Sequence, residues 1–338
     1  MCSLRITNLA RSVGAPMGGS TPPTNHMWFL PSRVMKSVYR RILFLYAAAT
    51  LHYTALTSRR SITSPADDRG DQLVVSLTTY GHRLNDVYLV IESIAQQTLR
   101  PNRFILWLDE AECRERDLPA ALQRHLQRGL EVRFCQNLQS YKKLIPTLAI
   151  CPGDTIVTID DDILYPKDML EQLAAESEAF PNTVIAHRAR RIKIHDGRLA
   201  PYCEWEYVIS EDHPSSLTVP IGIGGVLYPP AIFHSDICLD SRFMNLAPNA
   251  DDIWFKVMSL LGGAKCKKTS DSRKFNSRFV EIPGSQLGAL HHANLFGKKN
   301  DAQIASVFDA YQVYDLLRYE SQVEYSGVEF HGREETGE

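Results

Sequence analysis

From Leu73 onward the apolar positions alternate between two periods. The run Leu73, Val74, Val75, Ser76, Leu77, Thr78 is short, apolar and rich in β-branched residues, and predicts a buried strand. Val87, Val90, Ile91 and Ile94 then recur at helical spacing. A second strand is expected over 104–108, ending at Asp109, and a helix follows from Leu118, Ala121, Leu122 and Leu126. Residues 131–135 read as a third strand and 155–159 as a fourth, the latter running straight into Asp160, Asp161 and Asp162. Pro166 sits where a first helical turn tolerates proline and predicts a helix to Phe180. Strands alternating with helices predict an α/β fold with a mostly parallel sheet covered on both faces. In such sheets ligands bind beyond the carboxyl ends of the strands. Asp109 and the three aspartates stand at two such ends.

Beyond Val184 the alternation weakens. Segments 204–209 and 216–228 are strand-like but irregular, 251–261 predicts a helix, and 303–319 predicts one more. Ahead of the sheet, residues 1–70 contain Gly18-Gly19 and Pro22-Pro23 and read as a basic leader, partly disordered, with one apolar helix. Residues 42–56 are apolar between Arg40-Arg41 and Arg59-Arg60, but too short to cross a bilayer of ~20-residue span. They read as an interfacial or packing helix, with a short membrane anchor as the lesser reading. Met27 and Met35 are alternative starts. The organisation expected is a leader over 1–70, a main domain over 71–325 and a flexible tail over 326–338.

Composition adds little beyond this: 44% hydrophobic and 22% charged residues are ordinary for a globular chain, and a net charge of −2 does not suggest nucleic acid. Its distribution is more informative. Nine basic residues stand against two acids up to Gly70, leaving 28 basic and 37 acidic residues in the body. A basic arm before an acidic body suits peripheral contact with an anionic membrane face. The seven cysteines contain no C-x-x-C pair, so they are expected to be reduced, in a cytoplasmic compartment or at the inner face of its membrane.

Three adjacent carboxylates at a strand end repel one another unless something neutralises them. Mn²⁺ or Mg²⁺ does so, because both prefer oxygen ligands and Mg²⁺ commonly combines one or two carboxylates with substrate phosphates. The competing reading is a solvated acidic turn or helix cap. Position after a buried strand favours the metal and diphosphate reading.

The pieces VVSLTTYGHRLNDVYLVIESIAQQTLRPNRFILWLDE and VTIDDDILYP resemble glycosyltransferases of the GT-A fold, particularly the large inverting group called family 2. These share a first strand and helix, a second strand ending in an acid, then a D-x-D motif before a Pro-led helix. The resemblance extends over residues 73–319 and is stronger in the first half. It implies a Rossmann-like, mostly parallel sheet and a nucleotide-sugar donor, UDP-linked. It also implies Mn²⁺ or Mg²⁺, and a glycan or lipid-linked acceptor in polysaccharide or glycoconjugate assembly. Carried over by position, Thr78, Thr79, Tyr80 and Arg83 would line the nucleotide pocket, and Asp109 would contact base or ribose. Asp160 and Asp162 would hold metal and diphosphate, with Asp161 in the variable middle place on the donor side.

Other candidates follow along the chain. Gly222, Gly224 and Gly225 mark a close backbone approach, and the resemblance makes Gly224 and Gly225 border the acceptor; a strand bulge is the plainer reading. Asp251 and Asp252 open a helix. In an inverting displacement a positioned carboxylate takes the acceptor proton, and the resemblance assigns that to Asp252, with Asp251 beside it. Trp254 would stack on a sugar ring if exposed, although tryptophan is more often core. Lys143 would neutralise diphosphate charge. Arg188, Arg190, Arg191 and Lys193 read as an exposed basic loop. His291 and His292 are candidates for a late metal ligand. Two further functional classes stay open: a nucleotidyltransferase acting on sugar phosphates, and a non-catalytic sugar-binding protein on the same fold.

Overall fold

The computed structural model describes residues 32–65, 71–207, 209, 213–283 and 299–331. Contacts divide the chain into residues 1–39 and 40–338. The boundary falls inside the first described helix, α1 (Ser32–Thr57).

The larger unit is built on one seven-stranded sheet, whose connections include the short helices α3 (Ala120–Leu126), α4 (Ile145–Ile150) and α6 (Asp240–Leu246). Its strands are β1 (Leu73–Thr78), β2 (Arg103–Asp109), β3 (Leu130–Cys135), β4 (Thr155–Thr158), β5 (Thr183–Ala186), β6 (Val226–Tyr228) and β7 (Lys265–Lys268), in the order β7-β5-β6-β4-β1-β2-β3. All neighbours pair in parallel except β6, which runs against both β4 and β5. The fold is thus α/β with a mostly parallel sheet, and its first four strands fall where the apolar runs predicted them.

Alternate strand residues feed two separate cores, as the two-residue period of a strand requires. Val74, Ile105, Trp107 and Ile156 face one core, and Val75, Leu77, Phe104, Leu106 and Val157 the other. The first core is closed by α7 (Asp251–Leu261), through Trp254, Phe255 and Met258, and by α8 (Lys299–Tyr311), through Ile304, Val307 and Phe308. The second is closed by α2 (Val87–Ala95), through Val90, Ile91 and Ile94, and by α5 (Met169–Ala179), through Met169, Leu170 and Leu173. Leu51 and Ala55 of α1 are buried, and Leu51 joins this second core, whereas Ile42, Leu45, Tyr46, Tyr53 and Leu56 are exposed. Among the described residues no helix is long and apolar enough to cross a membrane.

Three boundaries differ from expectation. The helix after Pro166 begins at Met169, because Pro166 O instead accepts the Met169 N–H as a turn. The single helix expected over 303–319 is two, α8 and α9 (Tyr314–His331), broken where Gln312 adopts φ +52°. The segment 216–228 is not one strand but Thr218–Pro220, a 3₁₀ turn Gly222–Gly224, and β6. That turn sits at the start of the one reversed strand, which places it beside the carboxyl end of β4.

Candidate active site

Beyond that end lies a cleft of about 590 Å³, floored by Asp160, Asp161 and Asp162 and walled by Asp251 and Asp252. The acidic turn leaves β4 through Ile159, whose N–H still donates to Ser76 O at 3.0 Å and prolongs the pairing with β1. The buried Tyr165 hydroxyl accepts the Asp160 N–H at 2.8 Å, which fixes the turn from below. Burial, and then the Asp160 charge, hold that phenol well above its usual range, so it stays protonated.

The three aspartates have different surroundings. Asp161 turns inward: its two oxygens accept the Thr79 hydroxyl and the Arg83 guanidinium, each at 2.6 Å. Asp162 lies 3.3 Å from Arg83. Burial, and after it the Asp160 and Asp161 charges, push the Asp162 carboxyl up to about 7, against the pull of Arg83. Asp160 is the most open of the three and accepts from Lys143 Nζ at 3.0 Å.

Lys143 joins the acidic turn to the second acidic motif. It comes from the 3₁₀ turn Gln139–Lys143 and lies 3.0 Å from both Asp160 Oδ1 and Asp251 Oδ2. Burial disfavours its charge, but Asp160, Asp251 and Asp252 outweigh that and hold it well above the ordinary lysine range. Asp251 and Asp252 form the first turn of α7, where the helix dipole favours carboxylates. Asp252 Oδ2 accepts the Gly222 N–H at 3.2 Å. Burial and the Asp251 charge raise the Asp252 carboxyl to about 7, with Lys143 opposing. A Cβ on Gly222 would lie 2.9 Å from Lys143 Nζ, 3.3 Å from Asp160 Oδ1 and 3.4 Å from Asp252 Oδ1. Any larger residue would push on the Lys143 ammonium at the tip of its side chain and disturb its contacts to the acids.

The donor set suits a hard divalent cation. Asp160 and Asp162 would supply carboxylate oxygens, and Asp162 is raised first by burial and then by the neighbouring Asp160 and Asp161 charges, which a bound cation would offset. Among the described residues no group of three or more ligating side chains converges. Phosphate oxygens and water would complete a Mg²⁺-like shell, as is common for that ion. His291 and His292 lie outside the described residues.

Several sequence expectations need correction. Trp254 is fully buried and donates its indole N–H to Ile237 O at 3.1 Å, so it presents no face to a sugar. Gly224 and Gly225 do not line the cleft: Gly224 packs on His187 and Phe275, and Gly225 (φ +86°) on Met169. The close approach belongs to Gly222. Asp109 is buried beneath the rim and caps the Ala111 N–H at 2.9 Å, and Glu112 takes its place in the wall. Thr79 is buried and serves Asp161 instead of the cleft, and Asp161 has both oxygens engaged. Thr78, Tyr80, Arg83, Lys143, Asp160, Asp161, Asp162, Asp251 and Asp252 do line it.

The cleft also contains residues that sequence reasoning missed. Glu281 reaches it because Val280–Glu281 pairs with Ile163–Leu164, immediately after the acidic turn, and Ile282 N–H donates to Asp162 O at 2.8 Å. No local signal marks that pairing. Arg188 and Arg190 line the cleft instead of forming an exposed loop, together with Tyr202 and Tyr207. Their clue was the spacing of two arginines before a tyrosine-rich segment, and it was too weak to read.

No family model matches this chain, and no curated protein matches it. Solved structures similar to it include S. aureus TarS 1–349, at 16% identity and TM-score 0.42 over 62% of this chain and 60% of that one. The same fragment in complex with UDP gives 16% and 0.41 over 60% and 58%. The mannosyltransferase PcManGT from Pyrobaculum calidifontis, in complex with GDP-Man and Mn²⁺, gives 14% and 0.37 over 71% and 69%. The chain thus spans about 60% of the TarS fragment. At TM-scores below 0.5 these likenesses decide nothing about this chain's activity, which has to be argued from the cleft's own residues.

Proposed function

We propose that this protein transfers a sugar from a nucleotide-sugar donor to an acceptor hydroxyl, with inversion and with Asp252 as general base. The observation that carries this is the meeting, in one cleft, of the acidic turn after β4 and a half-buried carboxyl at the start of α7, joined through Lys143 and Gly222. A general base works best with a pKa near the working pH, and Asp252 at about 7 has one. Asp160 and Asp162 would hold Mn²⁺ or Mg²⁺. A bound cation supplies Lewis-acid stabilisation of charge on the departing diphosphate.

The reaction is a single displacement. Asp252 takes the acceptor O–H proton as that oxygen bonds to the anomeric carbon. The bond from that carbon to the diphosphate oxygen breaks, and its electron pair leaves with the nucleoside diphosphate. The Gly222 N–H orients Asp252, and Lys143, paired with Asp251, limits the repulsion between the two acids. A nucleotidyltransferase would instead need a basic phosphate-cradling loop after β1. There the basic side chain, Arg83, is turned onto Asp161 and Asp162. The exposed Ile42, Leu45, Tyr46, Tyr53 and Leu56 of α1, flanked by Arg40, Arg41, Arg59 and Arg60, support peripheral contact with an anionic membrane face.

The test is a panel of nucleotide sugars with Mn²⁺ or Mg²⁺ on the folded chain, run beside Asp252→Asn. We expect one donor to bind and transfer, and the variant to keep donor affinity while losing about 10²–10⁴-fold in rate. Failure of every donor to bind, or full transfer by the variant, overturns the proposal.

A further inference from the structure

One wall of the cleft is not accounted for by donor, cation or base. Arg190 lies with its guanidinium 4.3 Å from the Tyr202 ring centroid and 4.4 Å from that of Tyr207. Arg188 lies 4.5 Å from Tyr207 and 5.1 Å from Phe275. The side chains therefore alternate Tyr202, Arg190, Tyr207, Arg188, Phe275, with each cation over two aromatic rings. Arg190 is buried and spends one N–H on Tyr202 O at 3.2 Å. Among the described residues neither guanidinium has a carboxylate within ion-pair distance.

Aromatic faces stabilise a guanidinium and hold its plane, but they leave its in-plane N–H donors unused. Two arginines fixed in this way, without acids, are prepared for an oxyanion, which guanidinium groups bind in a bidentate manner. The ladder is also tied to the proposed base. Arg188 O accepts the Ile221 N–H at 2.9 Å, and the next residue, Gly222, donates its N–H to Asp252. The Tyr202 phenol, pushed up to about 12 mainly by burial, also feels the Asp252 charge. The acidic floor at Asp160 and Asp162 is served by other cations, Lys143 and Arg83. The cleft therefore has two poles: acids where a cation and diphosphate would sit, and arginines beside the base.

We propose that Arg188 and Arg190, braced by Tyr202, Tyr207 and Phe275, form a subsite for a phosphate or carboxylate group carried by the acceptor. This rests on the sugar-transfer reading, since it takes Asp252 to mark the acceptor side. A neutral hydroxyl acceptor would have no use for two such arginines, so the acceptor class becomes an anionic glycan, polyol phosphate or lipid-linked phosphate.

The experiment is calorimetric titration of the full chain with inorganic phosphate, first alone and then with saturating UDP and Mg²⁺. It is repeated for Arg188→Gln, Arg190→Gln, Arg190→Lys and Tyr207→Ala, each checked for folding by thermal denaturation. We expect phosphate to bind the UDP-loaded chain, and each Gln variant to weaken it about tenfold or more while UDP affinity changes less than about twofold. Arg190→Lys, which keeps the charge but loses the fork, should recover only part of the affinity. Tyr207→Ala, at a half-exposed position outside the core, should weaken phosphate without removing a charge. Competition between phosphate and UDP, or a tenfold loss of UDP affinity in the arginine variants, overturns the proposal by assigning the ladder to the donor. Phosphate affinity indifferent to both arginines overturns it as well. If no nucleotide binds at all, the sugar-transfer reading and the acceptor assignment both fall. Arginine-dependent phosphate binding would then uphold the oxyanion subsite on its own.

Discussion

Asp162→Asn should make the metal-free protein more stable, and increasingly so as pH rises. In the folded chain the Asp162 carboxyl titrates at about 7, against an ordinary value of 3.8. The folded state therefore binds this proton more tightly than the unfolded state. Stability is highest below pH 4 and falls by about 1.4 kcal/mol per pH unit between the two values, the whole loss being present above pH 7. The gap of roughly three units sets a ceiling of about 4 kcal/mol, already net of the attraction from Arg83. Asparagine has nearly the same shape and no charge to ionise. In urea unfolding with a chelator present, we expect the variant's advantage to be about 1–2 kcal/mol at pH 5 and about 3–4 kcal/mol at pH 8. Adding Mn²⁺ should then stabilise the wild type more than the variant, since only the former keeps the full ligand set. A variant less stable than the wild type at pH 8, or a difference that does not change with pH, would refute the reasoning.

Lys143→Met leaves Asp160, Asp251 and Asp252 without their shared cation, and should destabilise by about 3–5 kcal/mol at pH 8 but less at pH 5, where Asp252 carries its proton. Equal losses at the two pH values in denaturant unfolding would contradict this. Gly222→Ala should force Lys143 Nζ out of a 2.9 Å contact, cutting transfer about 10²-fold at saturating donor while shifting the melting temperature by only a few degrees; an unchanged rate would show that the close approach has no role. Glu92 is a control remote from the chemistry. Burial raises its carboxyl, but His125 at 3.0 Å and Arg128 at 2.6 Å outweigh that and hold it below the usual range. Its contribution is therefore present at neutral pH and lost as pH falls. Glu92→Gln should cost about 3 kcal/mol at pH 7 and progressively less towards pH 3, with the rate per folded molecule unchanged.

The first half of the fold was legible because β1, β2 and β4 are buried on both faces and read as short apolar runs, while β3, at the edge of the sheet, follows from the alternation of elements. The second half was not, because β6 is three residues long and the Gly222–Gly224 turn interrupts the pattern before it. The acids of the site were legible as motifs, but their division of labour was not. That Asp161 serves the loop after β1 while Asp160 faces Lys143 depends on contacts across 17 to 82 residues of sequence. Trp254 was open in the sequence between a sugar-facing and a core position, and the structure decides for the core, in line with its helical spacing from Val257 and Met258. Glu281 and the arginine ladder depend on pairings between short segments, for which a single sequence carries little signal.

The reversed strand β6 acts as a ruler. Val226 stands opposite Thr158, and the 3₁₀ turn Gly222–Gly224 ahead of it shortens the chain enough for Gly222 to meet Asp160 beyond the carboxyl end of β4. A slip of one residue would turn Leu227 to the wrong face and be rejected by the core. A slip of two would keep every side chain on its proper face, yet carry Gly222 about 7 Å along the strand and away from Asp252. Hydrophobic burial does not distinguish the second error from the correct pairing. The glycines do: Gly225 holds φ +86° against Met169, and Gly224 is pressed onto His187, so only one even-numbered register fits. The residues that look least chemical in this motif thereby set the spacing on which the chemistry depends.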